Sequence, residues 1–68
     1  MAAELPLAPI KRIIKRAGSE RVSESAVEAL RERTEEFTQD LAARARAFAQ
    51  HAGRKTVKRE DIRAAARE

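Results

Sequence analysis

The stretch HAGRKTVKREDI, residues 51–62, holds the side chains best suited to chemistry. Its Gly-Arg-Lys-Thr run offers cations and a hydroxyl group that could bind phosphate. A nucleotide-binding P-loop, however, requires G-x-x-x-x-G-K-[ST] after a β-strand. Here Phe48 occupies the position five before Gly53, an arginine separates that glycine from the lysine, and a helical pattern precedes both. Nucleotide hydrolysis is therefore not predicted.

The remaining reactive side chains do not predict an enzyme or a metal site. The chain has no cysteine and one histidine, which excludes disulfides and thiolate metal sites. The six acids between residues 24 and 40 are spread along a helical pattern beside Arg31 and Arg33, which is typical of an exposed helix face. Ser23 is better explained as a helix cap than as a nucleophile, because no triad partner accompanies it. We expect no catalysis, no cofactor and no small-molecule substrate.

Positive charge is concentrated at the two ends of the chain, whose formal net charge is +4. Residues 1–22 carry five Lys or Arg and two Glu, residues 23–52 carry four Arg and six acids, and residues 53–68 carry six Lys or Arg and three acids. This balance favours an acidic partner, either nucleic acid or a membrane surface. The absence of Trp and Tyr argues against recognition of single strands by base stacking. No apolar run could span a membrane and no signal peptide is recognisable, so an intracellular protein is expected.

Glycine, proline and capping residues divide the chain into a short, a long and a short helix. Pro9 suits the first turn of a helix, and Gly18 is typical of the position just past its end. Ser23 is the expected N-cap of the long helix, which contains neither glycine nor proline before Gly53 ends it. The sequence therefore predicts a single all-α domain over residues 1–68. Its helices are expected at about residues 7–17, 23–52 and 59–67.

The first two helices each have one apolar side when residues are placed about 100° apart. In the first helix this side carries Leu7, Ile10, Ile13, Ile14 and Ala17. The opposite side is wholly basic and carries Lys11, Arg12, Lys15 and Arg16. In the long helix, a stripe roughly 40° wide contains Leu30, Phe37, Leu41 and Phe48.

The predicted long helix is longer than the diameter of a compact domain of this size. Roughly thirty residues span about 45 Å, whereas a compact 68-residue domain is roughly 30 Å across. The apolar stripe must therefore extend beyond anything that the same chain can cover. We predict an obligate homodimer in which two long helices cross and bury Leu30, Phe37 and Leu41 as the dimer core.

Three parts of the chain, ELPLAPIKRIIKRAGSERVS, the long middle helix and HAGRKTVKREDI, resemble the archaeal-type histones. The resemblance covers residues 4 to about 66. It implies a histone fold in which two chains form a handshake dimer, dimers that stack, and double-stranded DNA wrapped around the outside. It also implies little sequence specificity, because backbone charge and DNA deformability carry such binding.

The resemblance implies that the basic residues at both ends of the chain contact DNA. The loop at residues 54–56 would lie beside the partner subunit's Arg21, and the paired loops would grip the DNA backbone. The first helices would meet at the dimer centre, with Arg12 pointing into the minor groove as arginines do in the nucleosome. From the residues alone, the loop cations are equally explained as solvated surface. The expected DNA-binding residues are Lys11, Arg12, Lys15, Arg16, Arg21, Arg54, Lys55, Thr56 and Lys58.

His51 and Asp61 each have two candidate roles. The resemblance implies that both join Phe48 in a contact between stacked dimers. His51 is otherwise explained as a cation near the end of the long helix. Asp61 is otherwise the partner of Arg54 in an ion pair that stabilises the loop. The sequence does not separate these roles, and both stay open.

The predicted function is a chromatin protein, located in the cytoplasm on the nucleoid, that binds and compacts double-stranded DNA. The alternative is a histone-fold subunit of a transcription or assembly complex that acts through protein heterodimerisation. A helix-turn-helix regulator is disfavoured, because that motif joins two helices by a turn of about three or four residues. A membrane-surface peptide built on the first helix is disfavoured, because no Trp anchors it.

Overall fold

The fold consists of three α-helices joined by two short connections. The computed structural model describes residues 4–18 and 20–67, and no strand occurs among them. The helices are α1 (Leu7–Arg16), α2 (Glu24–His51) and α3 (Arg59–Ala66). The predicted order of a short, a long and a short helix is confirmed. Among the described residues, no helix combines the length and the apolar character that crossing a membrane requires.

The predicted starts at residues 7 and 59 match the structure, and the other four helix bounds differ by one residue, because the flanking residues act as caps. Ala17 and Arg67 end α1 and α3 as C-caps. Ser23 precedes α2, and its Oγ accepts the N–H of Ala26 at 3.1 Å. That hydrogen bond satisfies one of the N–H groups that have no partner in the first turn, so Ser23 caps α2 from outside.

Gly53 ends α2 and sets the direction in which the following loop leaves the helix. Its φ of 74° lies in the left-handed region that favours glycine. The N–H of Gly53 donates to the carbonyl of Gln50, and the N–H of Arg54 donates to the carbonyl of Ala49, both at 2.9 Å. These two hydrogen bonds form a Schellman motif. The motif fixes the backbone at Arg54, the first basic residue of the loop.

The chain divides into two compact units, each with a very small apolar core. The first unit, Met1–Glu36, contains α1 and the N-terminal part of α2 and buries Ile10 and Val27. The second unit, Phe37–Glu68, contains the rest of α2 and all of α3. It buries Ala45, Ala49 and Ala65 together with the polar Asp61. No large side chain of the described residues is fully buried.

Several large apolar side chains lie exposed on the single chain. The exposed fraction is 55% for Ile13, 39% for Leu30 and 62% for Phe37, and Leu41 is half-buried. Ile13 belongs to the apolar side of α1 that was predicted from the sequence, yet only its neighbour Ile10 is buried. On the single chain the apolar side of α1 is therefore only partly covered. The exposed side chains are therefore available to a second protein chain.

Two α2 side chains hold neighbouring backbone in place, and the sequence predicts neither contact. In the first unit, Glu35 Oε2 accepts the N–H groups of Glu4 at 2.6 Å and Leu5 at 2.7 Å. The hydrogen bonds from Leu5 and Glu4 hold the pKa of Glu35 below its usual range. In the second unit, Arg44 Nη1 donates to the carbonyl of Ala65 at 3.2 Å, which ties the end of α3 to α2.

Candidate nucleic-acid interface

An ion pair between Arg54 and Asp61 organises the loop between α2 and α3. Arg54 Nη1 lies 2.8 Å from Asp61 Oδ2, and Arg54 Nη2 lies 2.9 Å from Asp61 Oδ1. Arg54 Nη1 also donates to the carbonyl of Thr56 at 3.1 Å. The side chain of Asp61 is 4% exposed and that of Arg54 is 28% exposed. Arginine and carboxylate groups interact most strongly through two parallel hydrogen bonds of this kind, and this pair is also partly buried.

Asp61 also holds the start of α3. Its Oδ2 accepts the N–H of Lys58 at 2.8 Å, which is the carboxylate half of a capping box. The hydrogen bonds from Arg54 and then from the Lys58 N–H lower the pKa of Asp61 to about 2. The Asp61 carboxylate in turn raises the pKa of Arg54. The carboxylate is therefore ionised, and it joins the loop to the first turn of α3.

Acid should destabilise the protein through this carboxylate. A carboxyl group whose pKa is lower in the folded state stabilises the fold above its unfolded pKa, and that contribution is lost as the pH falls towards the folded value. For Asp61 the window runs from its ordinary pKa of 3.8 down to about 2. Urea unfolding measured from about pH 5 downwards should show a loss of stability in this window that is reduced in Asp61→Asn. Parallel pH profiles for the two proteins would contradict the ion pair.

The ion pair leaves the neighbouring polar side chains on the surface. Lys55, Thr56 and Lys58 are exposed, whereas Arg54 is half-buried. Because both Nη groups of Arg54 already donate hydrogen bonds within the loop, this residue chiefly positions the loop. The side chains beside it are exposed to solvent.

Arg46 is a basic residue of this region that the sequence prediction missed. An open groove of about 170 Å³ is lined by Arg46, Arg54 and Lys55 together with Ala49, Gln50 and Val57. Arg46 lies on α2 four residues before Gln50 and seven before Gly53, which places it on the face of the helix that leads into the loop. That spacing is the signal that could have identified it. We refer to Arg46, Arg54, Lys55, Thr56 and Lys58 as the loop surface.

A second basic surface lies in the first unit, along α1. Its four predicted cations, Lys11, Arg12, Lys15 and Arg16, are all exposed. Lys11 and Lys15 line an open groove of about 510 Å³ with Arg21 and with Glu20, Val22 and Ser23. The structure therefore brings Arg21, predicted as part of a loop contact, beside the basic side of α1. We refer to Lys11, Arg12, Lys15, Arg16 and Arg21 as the α1 surface.

Of the three residues predicted to join stacked dimers, the structure brings two together within the chain. Phe48 and His51 line an open groove of about 310 Å³ with Arg44 and Ala47. Phe48 is half-buried and His51 is exposed at the end of α2. Asp61 does not line this groove, because its carboxylate is buried against Arg54. A contact of all three between dimers stays a prediction.

The chemistry available at the two basic surfaces is anion binding. Exposed lysine and arginine side chains, with a threonine hydroxyl, are the groups that bind phosphate oxygens in protein–DNA contacts. Ser23 Oγ accepts the cap hydrogen bond from the Ala26 N–H. In the part of the chain that the structure describes, no group of three or more His, Cys, Asp or Glu side chains could hold a metal ion.

Comparison with known proteins finds relatives over nearly the whole chain. Residues 3–66 match the family described as histone-like transcription factor (CBF/NF-Y) and archaeal histone. The chain is 59% identical over 63 residues to one of the subunits of the archaeal histone HAN1 of Thermococcus zilligii, an alignment that covers 93% of this chain and 94% of that protein. It is 51% identical over 65 residues to probable archaeal histone 3 of Methanocaldococcus jannaschii, covering 96% of this chain and 97% of that protein.

Proposed function

Because the chain belongs to the family of histone-like transcription factors (CBF/NF-Y) and archaeal histones, we propose that it is a chromatin protein that binds and compacts double-stranded DNA. The observation that carries the proposal is the exposure of the α1 surface and the loop surface on the three-helix fold. Cations on such surfaces bind the phosphate backbone, so binding has little sequence specificity. The protein packages DNA on the nucleoid and is not an enzyme.

The DNA-binding form is a handshake homodimer. Support comes from Leu30 and Phe37, which are exposed on the single chain, and from Leu41, which is half-buried beside them in the same stripe. The 28 residues of α2 span about 42 Å, which gives two crossed copies a long shared contact. Burying one large apolar side chain contributes about 1.5–3 kcal/mol. The dimer thereby enlarges the very small apolar core of each unit.

DNA contacts the dimer at its centre and at its two ends. At the centre, the basic sides of the two α1 helices meet, with Lys11, Arg12, Lys15 and Arg16, and Arg12 points into the minor groove. At each end, the loop surface of one chain lies beside the partner subunit's Arg21. Lys55, Thr56 and Lys58 then contact phosphate groups, while Arg54 holds the loop through its ion pair with Asp61.

Nuclease digestion of protein–DNA complexes tests the proposal. Dimers that wrap DNA and stack should protect a ladder of fragments whose lengths increase by one dimer footprint. A single short fragment would limit the protein to isolated dimers. No protection at any ratio of protein to DNA would contradict the chromatin function.

Stacking of dimers uses Phe48, His51 and Asp61, and replacing His51 with lysine should shorten the ladder. His51 is exposed at the end of α2, so a long cation there hinders a close approach of two dimers. Binding of one dimer to a short duplex should not weaken, because the substitution removes no cation from the DNA-binding surfaces. Gln39→Lys, which adds the same charge at another exposed position of α2, is the control. An unchanged ladder would leave His51 as a helix-end residue only.

The second candidate is a histone-fold protein that works through a different partner chain. The observation in its favour is that one relative, from Thermococcus zilligii, is named as one of the subunits of an archaeal histone. The two functions differ in what the purified chain does alone. Sedimentation equilibrium should show a folded homodimer for the proposed chromatin protein. A chain that folds only with a paralogue would favour the second candidate.

A further inference from the structure

The segment before α1 is anchored to α2 by one carboxylate. Glu35 Oε2 accepts the N–H groups of Glu4 at 2.6 Å and of Leu5 at 2.7 Å, which lie 31 and 30 positions earlier in the chain. Both hydrogen bonds are short, as is typical of a charged acceptor. Within residues 4–18 and 20–67, no Lys or Arg nitrogen lies within 4.0 Å of this carboxylate. Its partners in the described chain are therefore backbone groups.

The first turn of α1 provides no capping group of its own. The N-cap is Pro6, which makes no side-chain cap hydrogen bond, and the first turn contains no acid. The ring of a proline fixes φ, and the residue before a proline is restricted to extended backbone. One conformationally restricted residue therefore separates the anchored Leu5 from Leu7, where α1 begins. Because Glu35 holds Leu5, it also sets the position of the start of α1.

On the single chain, α1 buries little surface that would hold it in place. Its buried residue is Ile10, whereas Ile13 on the same side is 55% exposed. A helix held at one point can change its direction, and a second point fixed before its first turn prevents this. Lys15 and Arg16 lie about 7–9 Å beyond Ile10 along the axis, so a change of direction would move them most. The anchor at Glu35 therefore affects the basic side of α1.

We propose that Glu35 is a positioning residue for DNA binding, which holds α1 so that the four cations of this helix reach the DNA backbone. This inference rests on the proposed function. The rival role is that of an ordinary surface acid, whose negative charge weakens the attraction between the protein and DNA phosphates. The two roles predict opposite signs, because removal of a positioning residue lowers the affinity for DNA and removal of a surface acid raises it.

The substitution Glu35→Ala tests this sign. In fluorescence anisotropy titrations with a short duplex, the affinity should fall although the net charge of the protein becomes more positive. If each α1 of the dimer loses one phosphate contact, the salt slope should fall by about 1.8 units and the affinity by up to about fiftyfold at about 0.1 M salt. The matched control is Glu32→Ala, which removes the same charge from an exposed position of α2. The control should bind DNA as tightly as the wild type or slightly more tightly.

The conservative substitution Glu35→Gln should restore part of the affinity. A single oxygen, Oε2, accepts both N–H groups, and the amide oxygen of the new side chain can take its place. A neutral acceptor forms weaker hydrogen bonds than a carboxylate, so the affinity should still lie below that of Glu32→Gln. This comparison also tests the inference if Glu35→Ala does not fold.

A double-mutant cycle shows whether Glu35 acts through α1. Glu35→Ala should lower the affinity much less in a protein that already carries Arg12→Gln and Lys15→Gln, since α1 then has fewer contacts to lose. It should lower the affinity by the full factor in a protein that already carries Lys55→Gln and Lys58→Gln. All of these variants are compared at one low salt concentration.

Three results would overturn the inference. The first is an affinity of Glu35→Ala equal to or above that of Glu32→Ala, which would make Glu35 an ordinary surface acid. The second is an equal effect of Glu35→Ala in both backgrounds of the cycle, which would assign the loss to the whole fold. The third is a Leu5 amide proton that exchanges with solvent as fast in the wild type as in Glu35→Ala, measured by NMR. Wild-type protein that binds no duplex at all would overturn the proposed function together with this inference.

Discussion

Replacing Phe37 with aspartate should give a chain that no longer dimerises and is largely unfolded. On the single chain Phe37 is 62% exposed, and substitution of an ordinary surface residue changes stability by about 0.5 kcal/mol or less. A phenylalanine in the core of the dimer costs about 3–5 kcal/mol when truncated. An unpaired carboxylate in the same place costs more, and each dimer contains the change twice. Because each unit buries only a very small apolar core, no stable folded monomer is expected.

Sedimentation velocity and circular dichroism measure these two losses directly. The matched control is Gln39→Asp, which adds the same charge at an exposed position about 200° around α2 from Phe37. The control should stay dimeric and helical. A Phe37→Asp protein that is still a dimer, or that is a well-folded monomer, would contradict the assignment of the dimer core.

Replacing Arg21 and Lys55 with glutamine should weaken binding to duplex DNA by up to about a thousandfold at about 0.1 M salt. The double variant removes one cation from the α1 surface and one from the loop surface of each chain. If all of them contact phosphates in the dimer, the salt slope should fall by roughly 3.6 units, since each contact contributes about 0.9. Fluorescence anisotropy titrations at several salt concentrations measure both the affinity and the slope.

Lys55 is replaced rather than Arg54 so that a change in the stability of the loop does not alter the measured affinity for DNA. Loss of Arg54 would leave the Asp61 carboxylate buried and unpaired, and a change in affinity could then follow from a distorted loop. Arg31→Gln with Arg33→Gln removes the same net charge from α2 and should leave the affinity nearly unchanged. Equal losses in the two double variants would show that net charge, and not these two positions, governs binding.

Features that depend on local chemistry could be predicted from the sequence. Ser23 caps α2 and Gly53 ends it, because a hydroxyl at an N-cap and a glycine of positive φ are needed at those places. The ion pair between Arg54 and Asp61 could be named from the sequence as one of two roles of Asp61, because the two residues flank one short loop. The structure adds that this pair also joins the loop to α3 through the Lys58 N–H.

Features that depend on packing between segments could not be predicted in this way. Ile10 and Ile13 share the apolar side of α1, but only Ile10 is buried. Which of the two is buried depends on the segment that packs against this side, and the sequence of α1 does not show that. The hydrogen bonds of Glu35 to the backbone before α1 depend on where that segment lies after folding. The sequence prediction does not include Arg46, because this residue lies outside the charge-rich loop. It lies on a preceding turn of α2, on the face of the helix that leads into the loop.

The salt dependence of duplex binding tests the central claim most directly. Affinities for two duplexes of unrelated sequence should be nearly equal, and the logarithm of each should fall linearly with the logarithm of salt concentration. A dimer that neutralises five or more phosphates should give a slope steeper than about −4. An affinity that hardly changes between low and moderate salt, or that differs greatly between the two sequences, would contradict backbone-directed DNA packaging by this protein.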